Sequence, residues 1–334
     1  MYEHYRFEVD PGQAPLRIDK FLMGRMPDVS RNRIQNASKE GLILVNGNAV
    51  KPNHKVKPND VVSVNLDYPK KEIELIPEYI PLDIKYEDDE ILVLNKPSNL
   101  VVHPGVGNRS GTLVNGLLYH YKEFSDFSEP SRSGLVHRLD KDTSGLMVVA
   151  KTEGALKKLS DQFYNKTVSR KYKALVWGEM KEKEGVIRGH IARSPKNRKL
   201  YTVYPEGDQG KEAITTYKVL EELRYVSLLE CKLETGRTHQ IRVHFKYIKH
   251  PVFGDRSYGG DKILKGTTHK KYKQFIDNCF KILKRQALHA TTLGFSHPST
   301  GEWMEFEENL PQDLKKVMEK WRNYISDQSK SLDI

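Results

Sequence analysis

Ionisable side chains crowd into two short stretches of this chain. The first is Gly134-Leu-Val-His137-Arg138-Leu139-Asp140-Lys141-Asp142-Thr143-Ser144-Gly145, where two carboxylates stand among three potential cations just before an apolar run. A carboxylate in a polar loop abutting a buried strand is placed to act as a nucleophile or a general base. A calcium loop competes for the same residues, since Asp140, Asp142, Ser144 and Gly145 fit the start of its pattern. The residue that should be its bidentate glutamate is Lys151, and an apolar strand fills the interval, so calcium is rejected. Asp142-Thr-Ser-Gly reads as a turn whose side chains bond the backbone. Asp140 remains as the candidate functional carboxylate. No second acid has a comparable setting, so a paired-carboxylate glycosidase is not supported.

The second stretch is Leu233-Glu234-Thr235-Gly236-Arg237-Thr238-His239-Gln240-Ile241-Arg242-Val243-His244-Phe245. Thr238 is expected to cap a helix running to about Ile248, with Ile241, Phe245 and Ile248 on its buried stripe. Arg242 then sits one turn beyond the cap. A guanidinium stays charged at any working pH and can bond a carboxylate or phosphate through two parallel N–H groups. A lone arginine is usually a surface charge, but Arg237 and Arg242 inside one Thr-Gly-Arg-Thr-His-Gln segment favour function. His239 and His244 fall off one helix face, so a zinc pair is not expected, nor any other metal. A third segment, Ser169-Arg170-Lys171-Tyr172-Lys173, sets a tyrosine between lysines at a strand start. It could stack on a base while the lysines hold phosphates, or be an ordinary packed strand aromatic.

These residues need elements to hold them. Strands are expected at Glu90–Asn95, Gly145–Ala150, Tyr172–Trp177 and Val226–Leu233, the second buried by composition. An amphipathic helix should close the chain from Leu310 to Ile325, with residues 326–334 as a frayed tail. The start of the chain reads as a separate module over residues 1–66. Leu16–Leu22 has helical spacing and Pro27 interrupts it. Ser30 should cap a second helix from Arg31 to Glu40, ended by Gly41. Leu42–Val45 is a short strand and Asn46-Gly47 a tight turn. Between Pro15 and Asp60 nine cations face four carboxylates. Arg31, Arg33 and Lys39 on the second helix are candidate phosphate contacts. Three prolines between Asp67 and Leu82 suggest a linker over 67–82, leading into a domain over 83–325.

Composition bounds the answer further. With 334 residues, 37% hydrophobic and 30% charged, the chain has room for two domains and is neither collagen-like nor wholly disordered. No apolar run is long enough to span a bilayer, and no secretory signal opens the sequence. Two cysteines make neither a disulfide framework nor a four-cysteine zinc site, so a reducing, cytoplasmic setting is expected. A net charge of +11 favours a polyanionic partner, nucleic acid before an anionic membrane.

Taken together, the motifs resemble a known family. His-Arg-Leu-Asp-Lys-Asp-Thr-Ser-Gly-Leu, Lys-Tyr-Lys-Ala-Leu-Val-Trp-Gly and Glu-Thr-Gly-Arg-Thr-His-Gln-Ile-Arg-Val-His look like the ordered motifs of the RluA/RluD family of RNA pseudouridine synthases. Asn95-Lys96-Pro97, His103-Pro104-Gly105, His250–Gly259 and Arg285–Ala290 fit the same pattern. The helix–turn–helix–strand of the first module resembles a small RNA-binding module of a small-subunit ribosomal protein. The resemblance implies an α+β fold: a mixed, largely antiparallel sheet flanked by helices, beside the small α/β module. It implies isomerisation of uridine to pseudouridine without a cofactor, most like the branch that modifies large-subunit (23S) ribosomal RNA, in a cytoplasmic monomer that does not bind membranes. Asp140 falls on the catalytic aspartate, Arg242 on its arginine partner and Tyr172 on the tyrosine that stacks against uracil. Arg138, beside Asp140, is the candidate to fill the space a flipped uridine leaves, with His137, Arg237 and His239 as further RNA contacts. The same chemistry on tRNA, or a non-catalytic RNA-binding or ribosome-assembly role, are the alternatives. The basic stretch from Asp261 to Lys284 is long for the family and has no assigned role.

Overall fold

In the computed structural model, which describes residues 2–26, 29, 31–67, 75–105, 107–121, 124, 134–267 and 269–330, apolar side chains gather into separate cores in two units, Met1–Glu72 and Ile73–Ile334. The first unit runs β1 (Tyr2–Glu8), β2 (Leu16–Arg17), α1 (Ile18–Met23), α2 (Arg31–Lys39), β3 (Ile43–Val45), β4 (Asn48–Ala49), β5 (Lys55–Val56) and β6 (Val61–Asp67). Its main sheet has the order β1-β6-β3-β4. Asn46 and Gly47 both take positive φ, 50° and 81°, which is the backbone a two-residue β3–β4 hairpin requires. The helix expected from Leu16 starts two residues later, because Leu16 and Arg17 pair with β5. Helix α2 forms where expected and stops at Lys39. Pro27 and the proposed cap Ser30 lie outside the described residues.

The second unit contains β7 (Ile84–Glu87), β8 (Ile91–Lys96), α3 (Leu113–His120), β9 (Ser144–Ala150), α4 (Glu153–Tyr164), β10 (Ser169–Trp177), β11 (Glu184–Arg193), β12 (Tyr201–Tyr204), β13 (Lys211–Glu222), β14 (Val226–Leu233), α5 (Gln240–Tyr247), α6 (Lys270–Ile282), β15 (Leu288–Ser296), β16 (Trp303–Glu307) and α7 (Gln312–Lys330). Its strands form one sheet, ordered β12-β11-β13-β14-β10-β15-β9-β8-β7, with β16 beside β15. Every neighbouring pair is antiparallel except β9 with β15, so the fold is mixed α+β, as the resemblance implied. Helices cover both faces. Met147 and Val149 of β9 enter the core that α3, α5, α6 and α7 share, while Leu146, Val148 and Ala150 enter the one beneath α4. A strand buried on both sides has no room for polar alternation, which explains the unbroken apolar run after Ser144.

Two boundaries differ from expectation. Helix α7 continues through Lys330, so 326–330 is not a frayed tail; Gln328 bonds the Tyr324 hydroxyl at 2.7 Å and accepts from Arg224 at 3.0 Å. Residues 331–334 lie outside the described residues. Of the expected linker, Asp67 ends β6, 68–74 are outside the described residues, and 75–82 are fastened rather than free. The Asn115 amide donates to the Ile76 carbonyl, the Glu78 N–H donates to the Asn115 carbonyl, and Ile80 and Leu82 pack on the main core. Prolines there prevent regular pairing but not attachment by backbone bonds to α3.

Candidate active site

Asp140 sits in the loop leading into β9, and that loop is held from several directions. The buried Lys96 ammonium at the end of β8 donates to the carbonyls of Pro97, Leu100 and Lys141, at 2.8, 2.9 and 3.1 Å. Burial pulls its pKa down to about 7, against the opposing charges of Asp140 and Asp142. Arg285 donates to the Asp142 carbonyl at 3.1 Å and is itself gripped by both oxygens of Asp313. Gln286 donates to Thr143, and Ser144 bonds His289. Gly145 then passes so close to β15 that a Cβ would stand 2.2 Å from the Ala290 carbonyl oxygen, at a φ of 122°. Only glycine allows this approach, which lets β9 and β15 pair in parallel just past Asp140.

Arg242 reaches the same point from α5. Its Nη1 donates to Asp140 Oδ2 at 2.8 Å, and its Nε and Nη2 donate to Asp255 at 2.6 and 2.9 Å. Asp255 is wholly buried and also accepts the backbone N–H groups of Ser257 and Tyr258. Burial works against the Arg242 charge, but the bonds and charge of Asp255, then the charge of Asp140, outweigh it and raise the pKa above the arginine norm. Asp255 therefore fixes the plane of the guanidinium, and one remaining N–H group is aimed at Asp140.

His239 stands on the other side. Its Nε2 is 3.8 Å from Asp140 Oδ1, and its Nδ1 is 2.8 Å from the Tyr258 hydroxyl, which accepts the Tyr201 N–H. Burial lowers the His239 pKa, against the pull of Asp140, so the ring is neutral at pH 7. The expected Thr238 cap is not found. Helix α5 begins at Gln240, and His239 occupies the capping position in the left-handed region at φ 58° without a side-chain cap bond. That left-handed turn aims the imidazole at Asp140, which a Thr238 cap would not do. The buried stripe of α5 is as expected, with Ile241 and Phe245 buried and Ile248 partly so.

Asp140, Tyr172 and Arg242 all line one pocket of about 770 Å³, together with His137, Arg138, Arg237 and His239. This falls within the volume range of sites that enclose a small organic ligand. Tyr172 projects from β10 and is buried; desolvation raises its pKa, against the charge of Arg170, so it stays protonated at neutral pH. Arg138 is exposed at the pocket rim. Arg237 is half-buried, its Nε donating to the Glu212 carbonyl. His137 is committed inward: Nε2 accepts the Val148 N–H at 3.1 Å, its ring stacks on Phe163, and burial drops its pKa to about 3. It contributes a neutral wall rather than a cation.

In the first unit, Lys39 is exposed, Arg33 half-buried, and Arg31 bonds the buried carboxylate of Asp19 at 2.9 Å. Sequence reasoning passed over Asp255, Lys96 and Arg170 as site residues. All three lie in stretches already noted for their motifs, but nothing in their spacing shows that Asp255 meets Arg242, that Lys96 holds the Asp140 loop or that Arg170 lines the same pocket.

Comparison with known proteins gives the family. A family model described as RNA pseudouridylate synthase matches residues 90–247, and an S4 domain model matches residues 16–62. An uncharacterized RNA pseudouridine synthase of Chlorobaculum parvum is 45% identical over 96% of this chain and 98% of its own length. Ribosomal large subunit pseudouridine synthase D of Escherichia coli is 41% identical over 97% and 96%. Among solved structures, human RNA pseudouridylate synthase domain containing 4 matches with a TM-score of 0.53 at 25% identity, covering 72% of this chain and 92% of its own. The chain belongs to the RluA/RluD family of RNA pseudouridine synthases and carries an S4 domain ahead of the synthase fold.

Proposed function

We propose that this chain converts uridine to pseudouridine in large-subunit ribosomal RNA, with Asp140 as the carboxylate that acts on the ribose. The observation that carries the reading is the 2.8 Å bond from Arg242 to one oxygen of Asp140, made by a guanidinium whose other edge is locked on buried Asp255. An arginine so fixed orients Asp140 and offsets its charge without covering both of its oxygens. The reaction breaks the bond from C1′ to N1, turns the uracil, and forms a bond from C1′ to C5; the C5 proton is lost and N1 gains one. Nothing is added, so the balance calls for no co-reactant. Attack of the carboxylate on C1′ and removal of the 2′ proton both need the ionised form. Tyr172 supplies an aromatic face for the uracil and a hydroxyl within the same pocket. The uridine has to leave its stack to enter, at a cost of a few kcal/mol, and Arg138 at the rim can stack where it left.

The ribosomal target rests on the full-length likeness to the large-subunit enzymes of Escherichia coli and Pasteurella multocida, at 41% and 42% identity. Mapping pseudouridines in total RNA from cells with and without this protein tests it. Sites lost from large-subunit rRNA are expected; losses confined to tRNA would overturn the target, and no loss anywhere would overturn the activity.

A further inference from the structure

Of the cations that line the Asp140 pocket, Arg170 is the one that is buried without a carboxylate partner among the described residues. Arg170 is 8% exposed, its Nε has no hydrogen-bond partner, and no carboxylate pairs with it among the described residues. It precedes Tyr172 by two on β10, so alternation sends both side chains to the same face. The guanidinium lies 5.3 Å from the Phe163 ring centre and runs along Gly236, where a Cβ would stand 2.8 Å from Nη1. A side chain at 236 would crowd that end of the guanidinium. Arg138, Lys166, Arg170, Arg237 and Arg242 line the pocket against only Asp140 and Glu234, so anionic charge is lacking there. The neighbouring arginines all have an assigned use: Arg242 is held by two aspartates and Arg237 Nε by a carbonyl. A buried charge without a partner is destabilising. That cost is offset if an anion arrives with the substrate.

We infer that Arg170 binds a phosphodiester of the RNA immediately flanking the flipped uridine, and so fixes how far the ribose enters toward Asp140. The inference rests on the reading of the pocket as a uridine site and adds to it the residue that grips the backbone. Tyr172 and Arg170, two positions apart on one strand, then hold the base and a phosphate of the same short RNA segment. Phe163 orients the guanidinium through its ring face, and the bare backbone at Gly236 leaves room beside its Nη1.

The test is a cycle between protein and RNA. A hairpin carrying a mapped target uridine is made with one neutral methylphosphonate at each linkage from two nucleotides before to two after that uridine. With wild-type enzyme, one linkage should lower kcat/KM by about tenfold or more. Arg170→Met should show a similar loss on natural RNA, mainly in KM, and no further loss at that linkage. Arg170→Lys should recover part of the loss on natural RNA, because it restores the charge but not the fork. Two results overturn the inference: wild-type enzyme indifferent to every neutral linkage, or losses from variant and linkage that simply multiply. The first needs no variant and holds even if Arg170→Met fails to fold. If wild-type enzyme does not turn over the unmodified hairpin or the parent rRNA, the uridine-site reading itself falls, and this inference with it.

Discussion

Asp19 and Asp140 each face arginine, in different units of the chain. Asp19 is wholly buried and accepts from Arg17, Arg31 and Gln35, with five donor contacts between 2.9 and 3.1 Å. Burial alone would raise its pKa, but the bonds from Arg17, Gln35 and Arg31 overcome it and hold the carboxyl well below its usual range. Asp140 has a side chain 17% exposed, accepts from Arg242 through one oxygen, and has the other 3.8 Å from a neutral imidazole in an open pocket. The same two residue types therefore serve opposite ends. Where both oxygens accept hydrogen bonds, four of the five on one of them, the carboxylate ties α1 to α2. Where the arginine is anchored by a second, buried aspartate, the first keeps one oxygen without an arginine bond, facing the pocket. What separates the two is not proximity of opposite charges but how many acceptor positions remain empty.

The most severe way to break this contrast is to remove the arginine of the open pair. Arg242→Met strips the partner from both Asp140 and buried Asp255. It should lower kcat by about 10³-fold or more and destabilise the second unit by about 3–5 kcal/mol, because Asp255 keeps a buried charge without its cation. Single-turnover kinetics and thermal melting check the two effects. Arg242→Lys, which keeps charge but not the fork, should also lose most of the rate; unchanged kinetics would refute the pairing.

Tyr172→Phe comes next. It keeps the aromatic face and removes the hydroxyl, so RNA affinity should hold while the chemical steps slow by about 10²-fold. Because burial raises the Tyr172 pKa, wild-type activity should not fall between pH 8 and about 10 through this group. A fall that Tyr172→Phe abolishes would contradict that.

Smaller still is Asp19→Asn, expected to destabilise the first unit by about 1–3 kcal/mol with the chemistry of the synthase unit untouched. The folded-state pKa lies below the unfolded one, so the native state binds fewer protons. The stabilisation is complete above the ordinary carboxylate pKa of about 4 and is lost as pH falls below it. Hydrogen exchange of the β3 and β6 amides between pH 7 and pH 3 should show this loss in wild type and a flatter response in Asp19→Asn. The mildest effect is Lys39→Ala, which should reduce the slope of log K against log salt for RNA binding by about one. Arg31, already bonded to Asp19, should alter stability more than that slope.

Much of this was legible in the chain. Asp140, Tyr172 and Arg242 lie in motifs dense enough to single out, and runs rich in apolar residues marked β8, β9, β10 and β14. What escaped depended on the third dimension. Asp255 is one acid among forty-four carboxylates until α5 places Arg242 beside it. Arg170 reads as a charge at a strand start until the burial of its neighbours leaves it without a partner. Thr238 has the right type for a cap, but the left-handed turn at His239 starts the helix later and turns the imidazole toward Asp140. Arg31 opens a helix as a phosphate site should, yet the buried carboxylate on α1 claims it. Prolines between Asp67 and Leu82 suggested a free tether, because sequence shows the lack of a ladder and not the bonds to α3.

The most direct test of the account is to give Asp140→Asn and wild-type protein the same ribosomal RNA and to follow pseudouridine formation and RNA binding together. Loss of product to background, with affinity within about threefold and an unchanged melting temperature, is the expected result. Turnover near wild type in Asp140→Asn would show that the oxygen left free beside Arg242 is not the one that reacts.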